Sequence, residues 1–233
     1  MRIIKNQENF KTETDWLVSY HHFSFGQHFD PNKTNFGVLR VFNDDTISPG
    51  KGFGFHQHQD MEIVTYVLEG QLQHKDNFGN DGIIHSGEVQ RMSAGTGIFH
   101  SEFNHSHTDP LKLLQIWITP NQKGLKPSWE QRKFSNEERL NNLLCVVSAE
   151  SNESLMIHQD VSIYVSTLDN FKVCHQFAED RIGYLFTISG KVSVNDISLE
   201  TKDSIMIQSE KSITISSSSK SEIILLDLPA NEN

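Results

Sequence analysis

Short apolar runs dominate this sequence and limit what it can become. FGVLRVF (36–42), EIVTYVLEG (62–70), LKLLQIWI (111–118), SIYVSTL (162–168), YLFTISG (184–190), SIMIQ (204–208), SITISS (212–217) and EIILLDL (222–228) are rich in Ile, Val, Thr and aromatics. Each has the length of a strand and is bounded by turn formers. Their spacing predicts an all-β sandwich or barrel and argues against βαβ units. DNFGNDG (76–82) and VNDIS (194–198) supply turn chemistry between runs. A single helix is predicted over SNEERLNNLLCVV (135–147), with Ser135 as N-cap and Glu138 completing a capping box. It follows a polar stretch interrupted by Pro120, Gly124 and Pro127. The predicted organisation is therefore a β domain over 1–120, a short, partly helical connector over 121–144, and a second β domain over 145–233.

A weak internal repeat supports two related domains. YVLEGQLQH (66–74) is echoed by FTISGKVSV (186–194), each a strand running into a Gly and alternating onward. Gly87-Glu88 and Asp203 then look like the turns before another strand in each half. The halves differ in chemistry. The first carries His56 and His58 ahead of its Gly, whereas the second has His175 at the matching place and then Phe177. Only the first half has the residues for a metal site.

In a strand, residues two apart point to one face. His56 and His58 form one such pair, and His100 and Glu102 form another some forty residues on. Two such pairs on neighbouring strands can converge on one interior point. Three imidazoles and a carboxylate suit a divalent transition metal with positions left open. The set is too nitrogen-rich for Ca²⁺ or Mg²⁺ and too poor in thiolate for structural zinc. Fe(II) is the first expectation, with Mn, Ni, Co, Cu or Zn allowed. Glu62 competes with Glu102 as the carboxylate, because in a regular strand it faces the same way as His56. His74, His85 and His158 read as solvated or satisfied, His105 and His107 as loop residues, and His21 and His22 as packing or hydrogen-bonding groups.

Charge narrows the partners. With 20 basic and 30 acidic residues in 233, the net charge is −10, which repels phosphate backbones and anionic lipid. Direct nucleic-acid binding is not expected. No window reaches the length of a membrane span. The two cysteines, Cys145 and Cys174, have no metal-type spacing, and the opening MRIIKNQENFKTETDW has no apolar core of a secretory leader. A cytoplasmic protein is expected.

These residues also carry a resemblance. GKGFGFHQHQDMEIVTYVLEG (50–70) resembles the first cupin motif: Gly50, His56, His58 and Glu62 fit, and Gly70 closes it one residue later than usual. GEVQRMSAGTGIFHSEFN (87–104) resembles the second, through Gly87, Gly95, His100 and Asn104, with Ser93 where Pro is common. With HHFSFG (21–26), FGVLRVFNDD (36–45), LLQIWITP (113–120) and PSWEQRKF (127–134), the chain is similar to the bacterial pirin family. The resemblance implies a bicupin, two jelly-roll-like antiparallel β-barrels, with metal only in the N-terminal one. It implies His56, His58, His100 and Glu102 as ligands, and so favours Glu102 over Glu62. Some pirins open the ring of flavonols such as quercetin with O₂, which implies a flavonol-like substrate and Glu102 as the group accepting its 3-hydroxyl proton. Phe53, Phe55, Met92, Phe99 and Phe103 are candidate pocket walls. Other pirins act as metal-dependent modules that bind and regulate partner proteins, which is the alternative. A third option, isomerisation of a small polar substrate, predicts a pocket rich in Lys or Arg. Ser86 and His85 depart from the family's usual Pro and Arg near the pocket mouth.

Overall fold

Strands account for 59% of the residues, and residues in helix for only 3%. The computed structural model describes residues 1–150 and 153–230. In chain order the strands are β1 (Arg2–Ile4), β2 (Phe10–Glu13), β3 (Leu17–His21), β4 (Leu39–Ile47), β5 (Gly52–His58), β6 (Glu62–Glu69), β7 (Gln71–Asp76), β8 (Asp81–His85), β9 (Glu88–Ser93), β10 (Ile98–Asn104), β11 (Leu111–Ile118) and β12 (Ser128–Lys133). A single helical turn, α1 (Asn136–Arg139), precedes β13 (Leu144–Ser148), β14 (Leu155–Met156), β15 (Ser162–Leu168), β16 (Phe171–Gln176), β17 (Arg181–Ser189), β18 (Lys191–Val194), β19 (Ile197–Glu200), β20 (Ser204–Ile207), β21 (Ser212–Ser217) and β22 (Ser221–Pro229). Among the described residues no helix is long and apolar enough to cross a membrane.

The chain divides into two compact units. The N-terminal unit comprises residues 10–133 with 157–159, and the C-terminal unit residues 1–9, 134–156 and 160–233. In the N-terminal unit a seven-stranded sheet, β12-β9-β6-β11-β4-β3-β2, faces a four-stranded sheet, β5-β10-β7-β8. The C-terminal unit repeats the plan with β1-β20-β17-β22-β15-β13-β14 and β16-β21-β18-β19. The barrels expected from the sequence are thus open jelly-roll-like sandwiches rather than closed cylinders. Each is packed between its sheets. Val67, Leu72, Ile84, Leu111 and Leu113 cluster in one, and Leu185, Val192, Ile205, Ile213, Ile215 and Leu225 in the other.

The internal repeat has a physical basis. Gly70 joins β6 to β7 and Gly190 joins β17 to β18, both at φ 83, a conformation that favours glycine. A Cβ at Gly70 would lie 2.7 Å from the Pro110 carbonyl oxygen, and one at Gly190 2.8 Å from that of Lys220. Gly87 and Asp203 sit just before β9 and β20 as the repeat predicts.

Two expectations are corrected. The capping box forms, with the Glu138 amide donating to Ser135 Oγ at 3.2 Å and the Ser135 amide to Glu138 Oε2 at 2.8 Å. The helix nevertheless stops after one turn, because Leu140 is extended and Asn141 turns left-handed at φ 55. Leu144–Ser148 then pairs with β15, so sheet formation overrides the helical pattern. Nor is 121–144 a free connector: Ser128–Lys133 forms β12 and covers the edge of β9. The matching edge of the C-terminal sandwich, at β20, is covered by β1 from the chain's first residues. Both additions protect what would otherwise be an open sheet edge.

Candidate metal centre

A one-residue irregularity sets the site. His100 on β10 pairs with His56 on β5, but Glu102 pairs with Phe53, so β5 spends three residues where β10 spends two. This is a β-bulge at Gly54-Phe55. It turns Phe53 to the same side as His56 and His58 and pushes Phe55 out to 62% exposure. Just before it, Gly52 packs so close to β10 that a Cβ would lie 2.2 Å from the Glu102 carbonyl oxygen.

His56, His58 and His100 converge as the two-residue spacing predicts. Their ring centroids lie 4.5–4.9 Å apart. One nitrogen from each falls within 4.8 Å of the others. Glu102 forms a second such group with His100 and His74, so His100 is common to both. Glu62 is elsewhere. A break at Asp60, φ 48, separates β5 from β6, so strand parity does not carry across. Ile63 lines the cavity, while its neighbour Glu62 accepts from Ser93 Oγ at 2.9 Å and stands near His158 Nδ1 at 3.5 Å.

The hydrogen bonds define which nitrogens are available. His56 Nδ1 faces the Gly54 carbonyl at 2.8 Å, and because a carbonyl only accepts, that nitrogen carries the proton. Nε2 is left with a lone pair. His74 Nε2 faces the Asp76 carboxylate at 3.5 Å and donates to it, which makes His74 Nδ1 the acceptor for His100 Nδ1 at 3.4 Å. His100 Nε2 is then also a lone pair, buried and without a partner. Burial first, then neighbouring imidazoles, pushes His58 down to about 4 and His100 down to about 3. Burial likewise lowers His74. Neutral imidazoles with free, inward nitrogens are what a transition metal requires, so the residues fit such an ion.

Glu102, 3% exposed, is held from both sides. Gln90 Nε2 donates to Oε1 at 2.5 Å and Gln115 Nε2 to Oε2 at 2.8 Å. Thr65 between them accepts from Gln90 and donates to Gln115. Trp129, on β12, donates from Nε1 to Gln90 Oε1 at 2.8 Å and stacks on His74 with an interplanar angle of 13°. It therefore backs both the carboxylate and the ring behind His100.

These groups open onto a cavity of about 270 Å³, small but near the lower end for small-molecule sites. Phe53, Ile63 and Trp117 supply apolar wall, and no Lys or Arg lines it. Of the other wall candidates, Phe99 and Phe103 point outward at 46% and 37% exposure, and Met92 belongs to the core. Sequence reasoning dismissed His74 and did not single out Asp76, Gln90, Gln115 or Asp45. His74 and Asp76 are themselves two apart on one strand, the same signal that marks the other pairs. His21 is buried, lines the cavity, and is held by Thr12 Oγ1 and Asn43 Oδ1 at 2.9 Å each. Asp45 also lines it; burial raises its carboxyl to about 7 against an opposing Ser19 hydrogen bond, with Asp44 and Glu102 adding to the rise.

Comparison with known proteins places the family. Residues 3–118 match the family model described as Pirin, and 145–228 match the quercetinase C-terminal cupin domain. The chain is 43% identical over 227 residues to quercetin 2,3-dioxygenase of Escherichia coli K12, covering 97% of each. It is 40% identical over 215 residues to a pirin-like protein of Caulobacter vibrioides, covering 91% of this chain and 92% of that one. The crystal structure of the bacterial pirin YhhW from Escherichia coli in complex with nickel(II) superposes with a TM-score of 0.93, at 43% identity and 98% coverage of both chains.

Proposed function

The chain belongs to the pirin family, and from that premise we propose that it is a metal-dependent dioxygenase that opens the ring of a flavonol such as quercetin with O₂. The observation that carries this reading is the convergence of His56, His58 and His100 at a cavity with apolar walls and no Lys or Arg in its lining. The absence of Lys and Arg from the lining weighs against isomerisation of a small polar substrate. His56, His58 and His100, with Glu102, hold the ion, and Fe(II) is the proposed metal in the cell. A divalent metal held there would supply Lewis-acid stabilisation of developing negative charge on the substrate and a redox-capable centre for chemistry with O₂.

The chain's own residues do the remaining work. Phe53 and Trp117 give a flat aromatic its walls and exclude water from the reacting edge. Gln90 and Gln115 fix the orientation of the Glu102 carboxylate, which takes the proton of the substrate's 3-hydroxyl. Holding acid, base and substrate in one cavity replaces diffusive encounter with position. The reaction consumes O₂ and releases carbon monoxide in equal amounts. Both cysteines are free, as a cytoplasmic setting would allow.

The test is turnover by iron-loaded protein in air, following loss of the flavonol band, O₂ uptake and carbon monoxide together. The three signals should move in proportion and vanish on chelation. Quercetin left intact, with metal-dependent recovery of a partner protein, would instead favour a regulatory binding module.

A further inference from the structure

The cavity has a second polar end. Along β11, alternate residues Leu113, Gln115 and Trp117 face inward, in rows about 6.8 Å apart. The middle row runs Gln90–Thr65–Gln115–Asn43–His21 across five strands, and its members bond to one another or to Glu102. The next row toward Phe53 runs Leu113–Asp45–Ser19. Asp45 is 4% exposed and lines the cavity, and its Oδ1 has no hydrogen-bond partner. A buried oxygen without a partner is costly to keep. Leu17 and Phe53 flank this end, so the ligand portion reaching it is apolar apart from a donor at its edge.

We propose that Asp45 is a specificity-determining anchor that accepts a hydrogen bond from a substrate hydroxyl remote from the one engaged at the histidine group. The assignment rests on the flavonol reading and deepens it: the favoured substrate is a flat, extended arene hydroxylated at both ends. Asp45 lies a full row from the Gln115 row that holds Glu102, so a phenol with a single hydroxyl cannot engage both ends. Asp45 is a binding group here, and no step of the reaction is assigned to it.

The experiment compares metal-loaded wild type, Asp45→Ala and Asp45→Asn. Anaerobic dissociation constants are read from the shifted flavonol band with two probes, quercetin and 3-hydroxyflavone, which lacks the remote hydroxyls. Asp45→Ala should weaken quercetin by about tenfold or more and 3-hydroxyflavone by less than about twofold. Asp45→Asn keeps the shape and an acceptor, so its loss should be smaller. Metal content should be unchanged, and the thermal midpoint of the ligand-free variants equal or higher, since a buried carboxyl with one unpartnered oxygen has been replaced. Equal weakening of both probes, no weakening of either, or a lowered midpoint overturns the assignment and leaves the flavonol reading standing. Wild type that binds neither probe overturns both.

Discussion

The two sandwiches share strand order, turn glycines and edge protection, yet their interiors were written in different chemistry. Aligning them through Gly70 and Gly190 and following the ladders places the central row Gln90–Thr65–Gln115–Asn43–His21 on Ile205–Leu185–Leu225–Tyr164–Cys145. His56 falls on His175, His58 on Phe177, His100 on Ile213 and Glu102 on Ile215. His74 falls on Val194. One fold thus holds either a dry apolar core or a polar network around three imidazoles. The architecture supplies the positions, and a handful of side chains decides whether they bind anything. His175, the one imidazole kept in the C-terminal copy, is engaged by Asp227 at 2.7 Å.

Exchanging the residues is the strongest way to break this comparison. His58→Phe, His100→Ile and Glu102→Ile together give the N-terminal sandwich its partner's residues. Metal affinity should fall by more than about 100-fold, since the three are proposed ligands and a ligand matters more than the groups that orient it. The thermal midpoint of the metal-free variant should fall, because Gln90 and Gln115 stay buried and lose their carboxylate acceptor. Wild-type metal content in that variant, measured by elemental analysis, would end the comparison.

Smaller changes test the supporting groups. Trp129→Phe keeps a ring over His74 but removes the N–H that orients Gln90. Gln90→Leu removes the donor to Glu102 as well. Metal affinity by chelator competition should drop about 10-fold for the first and up to about 100-fold for the second. The reverse exchange, Leu225→Gln, puts an amide into the apolar row without partners. It should cost about 1–3 kcal/mol in denaturant unfolding and create no metal site.

The last test is of pH. In the metal-free protein His58 and His100 stay neutral to about pH 4 and about pH 3. An unfolded chain takes up those protons near pH 6.5, about the ordinary histidine value. The unfolded state therefore binds more protons as pH falls, and stability is intact above about 6.5 and declines toward the folded values. Urea midpoints should trace that decline, and His100→Ile should flatten it.

Much of this was legible beforehand, for identifiable reasons. Strands survive reading from sequence where one face is apolar and a glycine must turn left-handed, which is why Gly70 and Gly190 exposed the repeat. His56, His58 and His100 were found because a spacing of two is a statement about direction. Glu62 remained a rival because parity was carried through Asp60, where the backbone breaks. β12 was missed because its value lies in pairing with β9, a tertiary property that polar letters do not announce. Asp45 stayed hidden in FGVLRVFNDD because an acidic pair after an apolar run reads as a turn, whereas β4 continues through it to Ile47.

The extra residue in β5 has a consequence for how this cavity can change. In an unbroken ladder, Gly54 would stand opposite Glu102; the insertion hands that place to Phe53. The aromatic wall is thus a matter of strand length as much as of residue identity. Deleting Phe53 would bring Gly54 to that place and swap a phenyl ring for bare backbone without altering any proposed ligand, whereas deleting Gly54 or Phe55 would keep the ring there. Indels, more than substitutions, are then the economical route by which relatives could reshape what this chamber admits.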